Sequence, residues 1–301
     1  MRDAVLSTII SAAQRTPLRG CGRYSNLLTE KQRAATLIDK AEAEARDVER
    51  FFEFFHSCDV RSEILGKSIL DFGSRFGGRT VEYVRTCGAR SACGVEPFQE
   101  CIDAGNAWAE KQSLARSVEF KLCTQDNIPY ENGTFDAVMT FEVEHVDDPR
   151  VSLKEIFRVL TPGANLYAVF PVYRGALSHH PDYLTMIPAL HLVFEPERLM
   201  RVVNRHLSGR PDIVVTPHEK LSKHFVTGAP ILPMLNGMGL RDFICATPEW
   251  TRRSIEMNGI LDVALGPDST LSKTARFLKK LPPTLSEPFL FNVAAILQKP
   301  A

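Results

Sequence analysis

Between residues 68 and 170, short apolar runs alternate with amphipathic stretches. Residues 69–72, "ACGVE" (92–96), "VEFKL" (118–122), "FDAVMTF" (135–141) and "NLYAVF" (165–170) read as five strands, each bounded by polar or glycine-bearing turns. The fourth run has an unbroken apolar centre, which predicts burial on both faces of a sheet. The stretches between them, from Thr80, over 98–111 and over 151–160, carry helical spacing, and the last stops at a Thr-Pro-Gly turn. Strands alternating with helices predict a parallel sheet covered on both faces. Residues 239–246 and 291–297 read as two further strands, with a helix over 271–281 between them. The expectation is an α/β fold with a doubly wound, mostly parallel seven-stranded sheet.

The flanks are patterned differently. Thr29 and Gln32 have capping-box spacing, and Ala34, Ile38, Ala41, Ala45, Val48, Phe52 and Phe55 follow at steps that share one face. This predicts one long amphipathic helix in a separate N-terminal extension, residues 1–60, which packs on the main domain or roofs its site. After Tyr173 the periodicity breaks. Residues 174–230 are rich in proline and histidine, hold one clear helix over 195–206, and read as a cap inserted after the fifth strand of a domain covering 61–301. Within the cap, the apolar run 183–194 reads as lid core.

Composition removes several classes of function. Lys plus Arg equals Asp plus Glu, 36 each, and basic residues interleaved with aromatics form no stripe, so neither nucleic acid nor an anionic membrane is an expected partner. The seven cysteines are odd in number and form no C-x-x-C pair, which argues against zinc and dithiol chemistry. Adjacent His179 and His180 do not readily share a metal, so no metal site is expected. No apolar run is long enough to span a bilayer. The apolar start at 4–13 imitates a secretory leader, but Asp3 and Arg19 fall where a leader wants a positive charge and a small residue. A cytoplasmic location is expected.

The chemistry gathers at the ends of the strands. In D-F-G-S-R-F-G-G, from Asp71, glycines 73, 77 and 78 permit tight turns and close approach to a ligand. The spacing fits neither the dinucleotide fingerprint nor a P-loop. Glu96 ends the second strand, where a carboxylate accepts from vicinal ribose hydroxyls. In an open sheet such a ligand lies beyond the carboxyl ends of the strands, beside the first one.

With "ILDFGSRFGG", "GVEPF", "IPYENGTFDAV", "FEVEHVDDP" and "EIFRVLTPG" in this order, the segment from Leu65 to Val172 resembles the class I S-adenosylmethionine-dependent methyltransferases, in their small-molecule, type 11 branch. The resemblance implies S-adenosylmethionine as cofactor and a hydroxyl, or less readily an amine, of a small molecule or glycan precursor as acceptor. It implies that Asp71 and Gly73 flank the methionine end, that Gly77 allows close backbone approach, that Ser74 and Arg75 join the cofactor set, that Glu96 holds the ribose, and that Pro97 and Phe98 border the adenine. Asp126, or Thr124 in another register, would meet the adenine amino group, and Phe141 completes the cofactor set. His145 takes the family's place at the mouth of the site, either as a base for the acceptor or as an ordering residue of its loop. Tyr173, His179, His180 and His191 are expected on the acceptor side. Two departures stand out: Arg75 replaces a usual glycine, and the stretch from Asp136 to "EHV" is one residue short. Arg75 either turns outward, faces an anionic acceptor, or disables the loop. The last case leaves a second class of function, a cofactor-binding protein that acts as a partner or regulator without catalysis.

Overall fold

In the computed structural model the sheet strands are β1 Ser68–Phe72, β2 Ser91–Glu96, β3 Val118–Leu122, β4 Phe135–Thr140, β5 Leu160–Phe170, β6 Thr251–Gly259 and β7 Leu290–Gln298. Their spatial order is β3-β2-β1-β4-β5-β7-β6. The pairs of β1 with β2 and β4, β2 with β3, and β4 with β5 are parallel, while β7 runs antiparallel to β5 from Asn165↔Gln298 to Phe170↔Val293. The doubly wound, mostly parallel seven-stranded α/β fold is therefore present. The helices used below are α1 Arg2–Ala13, α2 Leu37–Ala45, α3 Val48–Phe52, α4 Val60–Ile64, α5 Gly78–Arg85, α6 Gln99–Lys111, α7 Pro149–Val159, α8 Pro196–Ser208 and α9 Leu240–Ala246. The structure describes residues 2–16, 37–178, 184–208, 220–265 and 268–301. Among these, no helix is long and apolar enough to cross a membrane.

The first five strands fall where the apolar runs place them; the sixth does not. Within 239–246, Leu240–Ala246 form helix α9, not a strand. Leu240, Phe243 and Thr247 are buried at helical spacing, and carboxylates cap the amino end: Gly239 N donates to Asp242 Oδ2 at 3.0 Å and Leu240 N to Glu287 Oε1 at 2.7 Å. The sixth strand is instead β6, whose Thr251, Arg252 and Arg253 are exposed. At the edge of a sheet, charge on a strand guards against stray pairing, and it also erases the apolar signal. The helix expected over 271–281 exists in two pieces, Thr270–Ala275 and a 3₁₀ turn, Arg276–Lys280.

Two units make up the chain. One contains 35–170, 243–257 and 293–301, hence most of the sheet; the other contains 1–34, 171–242 and 258–292. The expected 1–60 extension is thus shared between them, and its single helix, where described, breaks after Ala45 into α2 and α3. Ala41, Ala45, Val48, Phe51 and Phe55 lie in one core with Ile69, Val81, Ala137 and Tyr167 of the sheet unit. These residues are not separate from the sheet domain but part of it. In the other unit, Leu6 and Ile10 of α1 share a core with Leu199, Val202 and Val203 of α8, and Asp3 pairs with Arg198 at 3.0 Å.

Candidate cofactor site

Strand β1 carries Asp71 and Phe72 alongside Gly94 and Val95 of β2. The chain then turns at Gly73, whose φ is 77°, and the amides of Gly73 and Ser74 both donate to Val95 O, at 3.0 and 3.1 Å. Gly73 is required twice over: its φ is left-handed, and a Cβ there would stand 2.2 Å from Glu142 Cγ. Gly77, with φ of 80°, begins α5, and a Cβ on it would stand 2.5 Å from the Phe120 ring of β3. The loop is therefore threaded between the ends of β1, β2 and β3 and the turn after β4.

Arg75 adopts the glycine-like turn despite its side chain, with φ of 49°. Its amide donates to Glu96 Oε2 at 3.0 Å. Its half-exposed guanidinium faces Glu44 of α2, Nε to Oε1 at 3.7 Å. The loop keeps its turn and has gained a partner in a helix far away in sequence.

Glu96 is buried at the end of β2, and burial pushes its carboxyl up to about 7; Glu142 and Glu44 add to this, against the Arg75 amide and charge. Asp71, also buried, accepts from Thr80 Oγ1 at 2.6 Å. Burial raises its pKa, opposed first by Arg79 and then by the Thr80 hydroxyl. The Arg79 guanidinium is itself buried, with Nε and Nη2 lacking a hydrogen-bond partner, and it lies 4.8 Å from the Phe141 ring centroid. Glu44, pushed up to about 7 by burial with Arg79 and Arg75 opposing, completes this group. The sequence patterns had singled out neither Glu44, Arg79 nor Glu142. Each sits on a helix or turn whose approach to the loop is set by tertiary packing, and no spacing rule marks it.

Beyond β4 the chain turns so that His145 N donates to Glu142 O at 3.0 Å. His145 Nε2 lies 3.7 Å from Glu144 Oε1 and 3.9 Å from Glu142 Oε2. Glu144 is buried, its Oε2 has no hydrogen-bond partner, and burial raises its carboxyl to about 8, opposed by His145. Because Glu142 packs on Gly73, the His145 turn and the glycine loop adjoin.

The remaining expected residues are more dispersed. Pro97 and Phe98 follow Glu96 on the surface, Phe98 at 60% exposure. Asp126 and Thr124 belong to a single turn, Thr124 Oγ1 donating to Asp126 Oδ1 at 2.6 Å, and Asp126 lines a cleft with Ile128, Tyr130 and Arg158. Phe141 packs on Phe51 of α3, ring centroids 4.1 Å apart. In the other unit Tyr173 and His191 meet edge to face at 5.4 Å, and His191 Nε2 donates to Tyr173 O at 2.7 Å. His191 is buried, which lowers its pKa and disfavours its charged form. His179 and His180 lie outside the described residues.

Residues 70–168 match a family model described as a methyltransferase domain. Norajmaline N-methyltransferase of Rauvolfia serpentina is 31% identical over 142 residues, covering 47% of this chain and 48% of the relative. The probable chloroplastic tocopherol O-methyltransferase of Oryza sativa subsp. japonica is 32% identical over 160 residues, 51% of this chain and 43% of that one. The chain thus spans about half the length of the curated relatives it matches. Among solved structures, a putative sarcosine dimethylglycine methyltransferase from Galdieria sulphuraria aligns with a TM-score of 0.52 over 100% of this chain and 99% of that one, at 12% identity, which is a likeness of fold. Sequence match and strand order agree: residues 70–168 match the methyltransferase domain family, and the sheet has the fold of a solved methyltransferase.

Proposed function

We propose that the protein transfers a methyl group from S-adenosylmethionine to a small-molecule acceptor, with a hydroxyl oxygen as the favoured nucleophile. The observation that carries this reading is Glu96: a buried carboxylate at the end of β2, bound by the Arg75 amide of the glycine loop. A vicinal diol offers the two donors such a carboxylate lacks, and the Arg75 amide holds it in place. Asp71 and Gly73 are assigned to the methionine end, Ser74 and Gly77 to the cofactor loop, and Asp126 to the adenine side. When bound, the cofactor supplies an electrophilic methyl group on a sulfonium. The chain's own task is to align the acceptor and receive its proton. His145, with Glu144 Oε1 and Glu142 Oε2 within 4 Å of Nε2, is assigned proton uptake from a hydroxyl. The O-methyltransferase named among the relatives supports oxygen, and the N-methyltransferase keeps an amine as the second choice. Acceptor choice is assigned to the unit holding 171–242, with Tyr173 and His191, and with His179 and His180 as further acceptor-side residues.

The test is calorimetry with S-adenosylhomocysteine, then release of that product from S-adenosylmethionine over a panel of phenols, alcohols and amines. Glu96→Gln should weaken binding by about 1–3 kcal/mol, since it removes a charged acceptor from buried hydrogen bonds. Unchanged affinity would remove the ribose assignment. Binding without turnover on any acceptor would favour a non-catalytic, cofactor-binding protein.

A further inference from the structure

Arg75 is a non-glycine residue held in a left-handed turn, a conformation that costs such a residue on the order of 1 kcal/mol. Something must hold it there, and α2 touches the loop at three successive points. Glu44 Oε1 faces the Arg75 guanidinium at 3.7 Å. Lys40 Nζ stands 4.7 Å from the Phe76 ring centroid. Glu44 Oε2 accepts from Gly78 N at 3.4 Å, in the first turn of α5. Gly78 is what admits the helix so closely, since a Cβ there would stand 1.9 Å from Ala41 O and 2.6 Å from Ala45 N. A single carboxylate therefore spans the loop from residue 75 to residue 78.

We propose that Glu44 is a positioning residue of the cofactor loop: it holds Arg75 in its turn and so fixes the Arg75 amide on Glu96. The role assigned to Glu96 rests on the proposed function; the latch itself is a property of the free protein. The charged groups facing Glu44 are Arg75 of the loop, Arg79 of α5, Asp71 of β1 and Glu96 of β2, while Glu42, on the same helix, faces Lys111 of α6 at 3.9 Å. Arg79 and Arg75 favour the ionised carboxylate that the latch needs, so the latch loosens as pH falls through about 7. Arginine at 75 and glutamate at 44 are thus one device, substituting for the freedom a glycine would have given.

The experiment is a double-mutant cycle with Glu44→Gln, Arg75→Gly and the pair. Two quantities are read: exchange of the residue 75 amide without cofactor, by NMR, and affinity for S-adenosylhomocysteine, by calorimetry. In the Arg75 background, Glu44→Gln should speed that exchange and weaken binding about tenfold. In the Arg75→Gly background the same change should alter affinity less than about twofold, because glycine takes the turn unaided. Equal losses in both backgrounds, or none in the Arg75 protein, would overturn the latch. If the unmutated protein does not bind the product at all, the cofactor reading falls, and the exchange arm alone then decides the latch. Melting temperatures of the near-isosteric Glu44→Gln variant separate the latch from simple unfolding.

Discussion

At the scale of residues, Glu96 makes stability depend on pH. Its carboxyl ionises at about 7 in the fold and near 4.5 in the unfolded chain. Between those values the folded protein holds more protons than the unfolded one, so this group's contribution to stability is full below 4.5 and is lost as pH rises through 7. Glu96→Gln removes that dependence. The variant should match the unmutated protein near pH 4.5 and exceed it by about 1–3 kcal/mol at pH 8. Urea titrations at the two pH values check this; an identical pH slope in both proteins would show that Glu96 is ionised at neutral pH. The place of Glu96 was legible because a strand end is visible in sequence. Glu44 and Arg79 were not legible: their roles come from proximity across 31 positions or more of chain, between Glu44 and Arg75, that no local pattern encodes.

At the scale of elements, the parallel strands were readable because burial on both faces writes a plain apolar run, as in β4. The polar edge strand β6 and the helix α9 were not. The apolar residues of 239–246 fit either period, and the decision lay with Asp242 and Glu287, of which the second is far along the chain. Helix α2 lies close against the start of α5, where Gly78 meets Ala41 O and Ala45 N. Gly78→Ala should drive Ala41 O and Ala45 N away and destabilise the protein by about 1–3 kcal/mol, as overpacking does. Because Gly78 is not among the glycines with positive φ, the loss would come from the displaced helix rather than from backbone strain. A thermal melt measures it, and an unchanged melting temperature would mean that α2 yields freely.

At the scale of the whole molecule, the two units decide which truncations are tolerated. An extension ending at residue 60 suggests from sequence that 1–60 is dispensable for the cofactor domain. The packing argues otherwise: Ala41, Ala45, Val48, Phe51 and Phe55 are core residues of the sheet unit, and Phe51 and Phe55 meet Phe141 and Tyr167 through ring contacts. Removing them would expose large apolar side chains on the sheet and leave Arg75 without Glu44. Each buried aromatic alone is worth about 3–5 kcal/mol when cut to alanine, which approaches the whole stability of a domain. Deletion of 1–60 is therefore expected to yield protein that neither melts cooperatively nor binds S-adenosylhomocysteine. Deletion of 1–16 removes only α1 and its turn among the described residues, where Leu6 and Ile10 pack on α8 in the other unit. That protein should keep its affinity for S-adenosylhomocysteine within about threefold while the unit holding α8 loses protection from hydrogen exchange. Comparable loss of cofactor affinity in both truncations would show that the two units fold as one, and that the sheet unit does not carry its ligand site unaided.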